Sequence, residues 1–262
     1  MNKKALLVVS FGTSYLDTLE KTIAPIEAEI AAALPEREPR RAFTSGMILR
    51  KLAAGGCHID SVPDALERLL AQGFDDVLVQ PSHVMNGDEY DKLARLAEPF
   101  ASRFRRFALG TPLLTEVEDY HAVARAVLAE LPPERADTAH VFMGHGSEHH
   151  ANASYCQLEY VFHDLGRRDV LIGTVEGYPT LDEVRRRLRE RPQVDRLVLR
   201  PLMVVAGDHA RNDLAGDAPD SWKNLLEGEG YQVSCLLRGL GEYPGIRRLF
   251  ADHALRAAAS IG

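Results

Sequence analysis

Cysteine is scarce in this chain of 262 residues: only Cys57, Cys156 and Cys235 occur. They lie far apart, are odd in number and form no C-x-x-C pair, so neither a disulfide framework nor a zinc knuckle is expected. A reducing compartment, the cytoplasm, suits such usage. Long apolar runs are missing as well, and nothing approaches the roughly 18 residues that would suggest a membrane span. The opening MNKKALLVVSFGTS sets two lysines before an apolar run. That run lasts only about five residues before Ser10, too short for the core of a signal peptide. A positive charge balance is absent too. The net charge of −7 argues against a nucleic-acid partner, which selects for a basic face. No G-x-G-x-x-G or P-loop appears, so no nucleotide is expected.

What is present is the composition of an ordinary globular protein, with 45% hydrophobic and 26% charged residues. Short apolar runs recur at 5–9, 41–44, 77–80, 106–109, 140–143, 170–174, 197–199 and 233–237. Most are continuous rather than alternating, the mark of strands covered on both faces. Amphipathic stretches separate them. Leu19, Ile23, Ile26 and Ile30 share one helical face, as do Val117, Tyr120, Val123, Val127 and Leu131, and Leu181, Val184 and Leu188. Asp17 with Glu20, and Thr115 with Glu118, have the spacing of capping boxes. The arginines at 185, 186, 187, 189 and 191 read as a solvated helix face. Strands alternating with helices predict parallel sheets with right-handed crossovers.

The chain also repeats itself. VLVQPSHVMNGDEYDKL from Val77 aligns without gaps with LVLRPLMVVAGDHARND from Leu197, pairing Pro81 with Pro201, Gly87 with Gly207 and Asp88 with Asp208. SFGTS from Ser10 parallels GHGSE from Gly144, with Gly12 matching Gly146. The expected fold is therefore α/β with two similar lobes, each a four-stranded parallel sheet flanked by helices. The Pro132-Pro133 pair suggests lobes at 1–132 and 133–262.

In open α/β sheets, ligands bind beyond the carboxyl ends of the strands. The repeat sharpens which residues sit there: Phe11 corresponds to His145, and Glu89 to His209. If the lobes face each other across a cleft, these positions converge on it. Two imidazoles with nearby carboxylates suit a borderline divalent ion, and Glu176 in GTVEGYP is a third candidate ligand. Each has a plainer reading: a histidine beside glycine often serves a loop, Glu89 would suit a helix start, and Glu176 would cap a turn. His149 and His150 read as solvated residues at a helix start, with metal pickup as the second reading. His83 is either a packed core residue or a cleft residue.

The blocks VVSFGTS, GHGSEHHAN, GTVEGYP and PLMVVAGDHARNDLAGD followed by SWK resemble the anaerobic-type sirohydrochlorin cobaltochelatase family (the CbiK type), a class II chelatase family with a ferrochelatase-like fold. The similarity runs over essentially the whole chain. It implies nucleotide-independent insertion of Co²⁺ into sirohydrochlorin for cobalamin synthesis, with Fe²⁺ as an alternative ion. The family's metal-site histidines fall on His145 and His209, and its glutamates on Glu176 and Glu89.

The expected metal set is thus His145, Glu176 and His209, with His145, His209 and Glu89 as the groups that act in catalysis. Ser10, Phe11, Gly12, Thr13, Ser14 and Met203 are the expected contacts to the tetrapyrrole. In this scheme the histidines hold a partly dehydrated ion, and a histidine or Glu89 takes the pyrrole protons. Two other readings compete: a sirohydrochlorin ferrochelatase for sirohaem, and a non-catalytic carrier of metal or tetrapyrrole. Homo-oligomerisation is left open. Neither a membrane nor a nucleic acid is an expected partner.

Overall fold

The computed structural model describes residues 3–260. It divides into two compact units, Met1–Thr115 with Pro244–Gly262, and Glu116–Tyr243. The first runs β1 (Lys4–Ser10), α1 (Leu16–Lys21), α2 (Ile23–Ala33), β2 (Glu38–Phe43), α3 (Gly46–Ala54), β3 (Asp60–Ser61), α4 (Val62–Ala71), β4 (Asp76–Pro81), α5 (Asp88–Ala101) and β5 (Arg106–Leu109). The second runs α6 (Val117–Leu128), β6 (Thr138–Gly144), α7 (Ala153–Asp164), β7 (Val170–Thr174), α8 (Leu181–Arg189), β8 (Arg196–Pro201), α9 (Trp222–Gly228) and β9 (Gln232–Cys235). The last helix, α10 (Pro244–Ser260), returns to the first unit.

Both sheets are parallel throughout, ordered β3-β2-β1-β4-β5 and β7-β6-β8-β9. The first thus has five strands where four were expected. The extra one, β3, is two residues long, too short to leave a pattern in the sequence. The continuous apolar runs are explained by two-sided burial: Ala5, Leu6, Leu7, Val8 and Val9 are all buried, each larger side chain contributing about 1.5–3 kcal/mol of transfer free energy. Arg37, just before β2, is buried with Asp76 of β4 at 2.8 Å, a pair that reaches across β1, the strand between them in the sheet.

The expected boundary at 132–133 falls inside the second unit, in the loop between α6 and β6. Buried Tyr120 of α6 donates from its hydroxyl to Ser154 of α7 at 2.8 Å, which ties α6 to the second unit. α10 instead packs on α2 and β4, with Ile246, Phe250 and Ala254 buried and His253 Nδ1 3.0 Å from Thr111 Oγ1.

Three local expectations are corrected. α1 begins after Tyr15, so Asp17 stands within its first turn instead of at the cap. At α6 the pairing is one residue later: Glu116 N donates to Asp119 Oδ2 at 2.8 Å, while Thr115 donates to Pro112 O. Arg187 is not solvated: it pairs with Glu159 and donates to Ile172 O at 3.0 Å. Among the described residues no helix is long and apolar enough to cross a membrane.

The repeat is visible in the hydrogen bonding of each unit. In the first, Thr44 N and Ser45 N donate to Ser10 O and Phe11 O; in the second, Val175 N and Glu176 N donate to Gly144 O and His145 O. Each sheet reverses its strand order beside its first strand, at β1/β4 and at β6/β8. The loops after those strands separate there, the place where open α/β sheets take ligands.

Candidate metal centre

His145 follows β6 and is held by its neighbour. Gly146 has φ +85°, and a Cβ there would come within 2.4 Å of Gly177 N. Only glycine permits that approach without strain. The loop carrying Glu176 can therefore lie directly against the loop carrying His145. Two hydrogen bonds stitch them, Val175 N to Gly144 O at 3.1 Å and Glu176 N to His145 O at 2.8 Å. His145 Nδ1 lies 3.8 Å from Glu176 Oε2.

His209 arrives from the loop after β8. It precedes one wide π-type turn, Ala210–Leu214, whose Leu214 is buried and anchors the turn. The rings of His145 and His209 meet edge to face, with centroids 4.7 Å apart and planes at 89°. A ligand atom from each of His145, Glu176 and His209 lies within 4.8 Å of the other two. The structure thus brings all three expected metal ligands together in the second unit.

The hydrogen bonds define which nitrogen each ring offers. His145 Nδ1 is 3.0 Å from Gly146 O, and a carbonyl only accepts, so Nδ1 carries the proton. His209 Nδ1 is 2.6 Å from Asp213 Oδ2, which likewise leaves Nε2 with the lone pair. Asp213 was not anticipated from the sequence. Its signal was there, a carboxylate four residues after a histidine, the spacing at which side chains meet along a helical turn. All three donors are partly or well exposed, so a hydrated ion can reach them.

The other expected residues scatter. Glu89 opens α5 in the first unit, where its Oε2 accepts from Thr44 Oγ1 at 2.7 Å and Lys92 Nζ lies 3.4 Å from Oε1. Phe11 is exposed. Gly12 has φ +103°, and a Cβ there would strike the Phe43 ring at 2.5 Å, so this glycine packs the loop against β2. Ser10 and Thr13 are buried. The Ser10 hydroxyl pairs with Ser82 at 2.7 Å, and Thr13 Oγ1 accepts from Tyr15 N at 3.2 Å. Their expected role as ligand contacts is corrected: both hydroxyls serve the loop. Ser14 is partly exposed. Met203 packs half-buried against the apolar cluster of the second unit. His83 is buried, and among the described residues neither of its ring nitrogens has a hydrogen-bond partner. Burial lowers its pKa to about 4 against the opposing pull of Glu89.

The model of the family described as cobalt chelatase (CbiK) matches residues 4–259. The sirohydrochlorin cobaltochelatase of Salmonella typhimurium is 46% identical over 97% of this chain and 96% of its own. The sirohydrochlorin cobaltochelatase CbiKC of Nitratidesulfovibrio vulgaris is 36% identical over 100% of this chain and 93% of its own. Among solved structures, SirB from Bacillus subtilis with Fe³⁺ superposes with a TM-score of 0.68 at 15% identity, covering 98% of this chain and 96% of that one. That likeness concerns the fold.

Proposed function

The chain belongs to the cobalt chelatase (CbiK) family, and on that premise we propose that it inserts Co²⁺ into sirohydrochlorin, with His145, Glu176 and His209 receiving the ion. The observation that carries the site assignment is the convergence of those three donors within 4.8 Å. Two neutral imidazoles and one carboxylate leave coordination positions open. Ring nitrogens can therefore enter before the protein ligands leave, and Glu176 offsets part of the ion's charge.

Insertion replaces two pyrrole protons by one divalent ion, so two protons must depart. Glu89 is the proposed acceptor of each in turn, passing the first to solvent before the second leaves, a general-base role, with the Thr44 hydroxyl fixing its carboxylate. The exposed Phe11 ring offers an apolar surface for the macrocycle, and Ser14 a hydroxyl for a peripheral carboxylate. No nucleotide enters this scheme. The same donor set also suits Fe²⁺, which we propose as an alternative substrate. The three free cysteines support a cytoplasmic setting.

The test replaces His145 or His209 by Ala and follows cobalt insertion through the visible spectrum of the tetrapyrrole. Both variants are expected to fall to the uncatalysed rate. Near-normal rates in both would remove the metal-site assignment. Product limited to one equivalent per wild-type chain would favour a carrier over an enzyme.

A further inference from the structure

Glu176 lies in the short loop 175–179, and its backbone is held from both sides. Before it, Val175 N and Glu176 N donate to Gly144 O and His145 O. After it comes Gly177, which gives the chain no stiffness of its own. At the far end Thr174 N and Oγ1 donate to Pro179 O at 2.6 and 3.0 Å, closing the loop. Between Glu176 and that closure, the hydrogen bond that reaches Gly177 or Tyr178 among the described residues comes from Asn152, whose Nδ2 donates to Tyr178 O at 2.5 Å.

The other end of the same amide holds the other loop. Asn152 Oδ1 accepts from Ser147 N at 3.0 Å, two residues after His145. Ser147 N can only donate and Tyr178 O can only accept. A side chain placed there must offer an acceptor and a donor side by side, which asparagine does and an ionised aspartate does not. Gly177 makes the room, since a Cβ there would come within 2.4 Å of Asn152 Oδ1. The amide also has a firm base. Asn152 immediately precedes α7, whose Tyr155, Leu158 and Phe162 are buried, and the Tyr155 hydroxyl accepts from Gly146 N at 3.4 Å.

We propose that Asn152 is a positioning residue for the metal set: it clasps the loop carrying Glu176 to the loop carrying His145, so that carboxylate and imidazole meet the ion together. The inference rests on the chelatase reading above. The side chains of His145 and Glu176 are 46% and 58% exposed, so packing does not fix them and the placement of their backbones decides where their donor atoms fall. Both ends of the Asn152 amide are engaged within the protein, so it acts through Glu176 and not as a ligand.

The experiment titrates Co²⁺ into the full chain without tetrapyrrole, for wild type, Asn152→Ala, Glu176→Ala and the double variant. Contacts that orient a metal ligand are worth roughly 10–100-fold in affinity, and Asn152→Ala is expected to lose about tenfold. In the Glu176→Ala background the same substitution should cost less than about twofold, because nothing is left for the clasp to position, whereas independent effects would add. Asn152→Asp keeps the acceptor for Ser147 N but turns a carboxylate toward Tyr178 O, so it should lose at least as much as Asn152→Ala. Gly177→Ala displaces the amide without deleting it and should weaken Co²⁺ binding too. In turnover, Asn152→Ala should raise KM for Co²⁺ and leave KM for sirohydrochlorin unchanged. Circular dichroism checks the fold of each variant, and Gly177→Ala decides in place of Asn152→Ala should the latter not fold. Wild-type Co²⁺ affinity in the deciding variant, or equal losses with and without Glu176, would overturn the proposal. Wild-type affinity in both His145→Ala and Glu176→Ala would overturn the metal-site reading instead.

Discussion

His209 and Asp213, four residues apart on one wide turn, are joined Nδ1 to Oδ2 at 2.6 Å. The carboxylate orients the ring and selects the tautomer that leaves Nε2 for an ion. Interactions of this kind behind a metal ligand are worth roughly 10–100-fold in metal affinity. Asp213→Ala should therefore weaken Co²⁺ binding by about tenfold or more, read by titrating metal into protein without tetrapyrrole. Asp213→Asn, which keeps an acceptor but loses the charge, should fall between. Wild-type affinity in both would mean that His209 needs no second support.

Gly146 makes a separable prediction about the other half of the set. Alanine there must adopt φ +85° and also push against Gly177 N, so the loop carrying Glu176 has to withdraw. The expected loss of stability is about 1–3 kcal/mol, the usual cost of a strained backbone position, seen as a lower Tm. Co²⁺ affinity should fall as well, because Glu176 is displaced from His145. A variant that melts earlier but binds Co²⁺ normally would show that Glu176 follows His145 by some route other than this contact.

The strands were readable from sequence because burial on both faces leaves continuous apolar runs, as at β1 and β4. β3, with two residues, leaves none. The membership of α10 could not be read, since an amphipathic pattern says that a face is buried and not against which sheet. The same limit applies at Pro132-Pro133, which marks a loop without marking a domain edge. His145 and His209 were legible through the repeat, which isolates the positions where two similar segments differ. Asp213 lay within the repeated segment, opposite Leu93, yet its meaning depends on a contact along a turn that an alignment does not express. Ser10 and Thr13 misled in the opposite way: a polar loop beside a strand end does not say which hydroxyls point inward.

Glu89 should separate proton removal from metal binding. Glu89→Gln keeps the size and can still accept from Thr44 Oγ1, but it cannot take a proton. Turnover is expected to fall by about 10²–10⁴, the usual worth of a general base, with Co²⁺ affinity unchanged. Thr44→Val removes a hydrogen bond worth about 1 kcal/mol and should slow turnover severalfold. A large loss of Co²⁺ affinity in Glu89→Gln would instead make Glu89 a ligand.

His83 supplies a stability prediction with a definite sign. Burial holds its pKa at about 4 in the folded chain, against an ordinary value of 6.5. His140 in the second unit is held at about 4 in the same way, burial being reinforced by Arg200 and opposed by Asp169. Between those two pH values the unfolded chain binds protons that the folded chain refuses, so stability falls as pH falls. The contribution is complete above the unfolded value and is lost progressively toward the folded one. For His83 a displacement of this size corresponds to about 3 kcal/mol, of which about 2 kcal/mol is gone near pH 5. Urea unfolding near pH 7 and near pH 5 measures it. His83→Leu should lose markedly less stability between the two conditions than wild type. It should not be weaker at neutral pH, since leucine removes two ring nitrogens that have no hydrogen-bond partner among the described residues. Carboxylates that titrate in the same range act equally in both proteins and cancel in the difference. Equal losses in wild type and variant would mean that His83 takes up its proton while the protein is still folded.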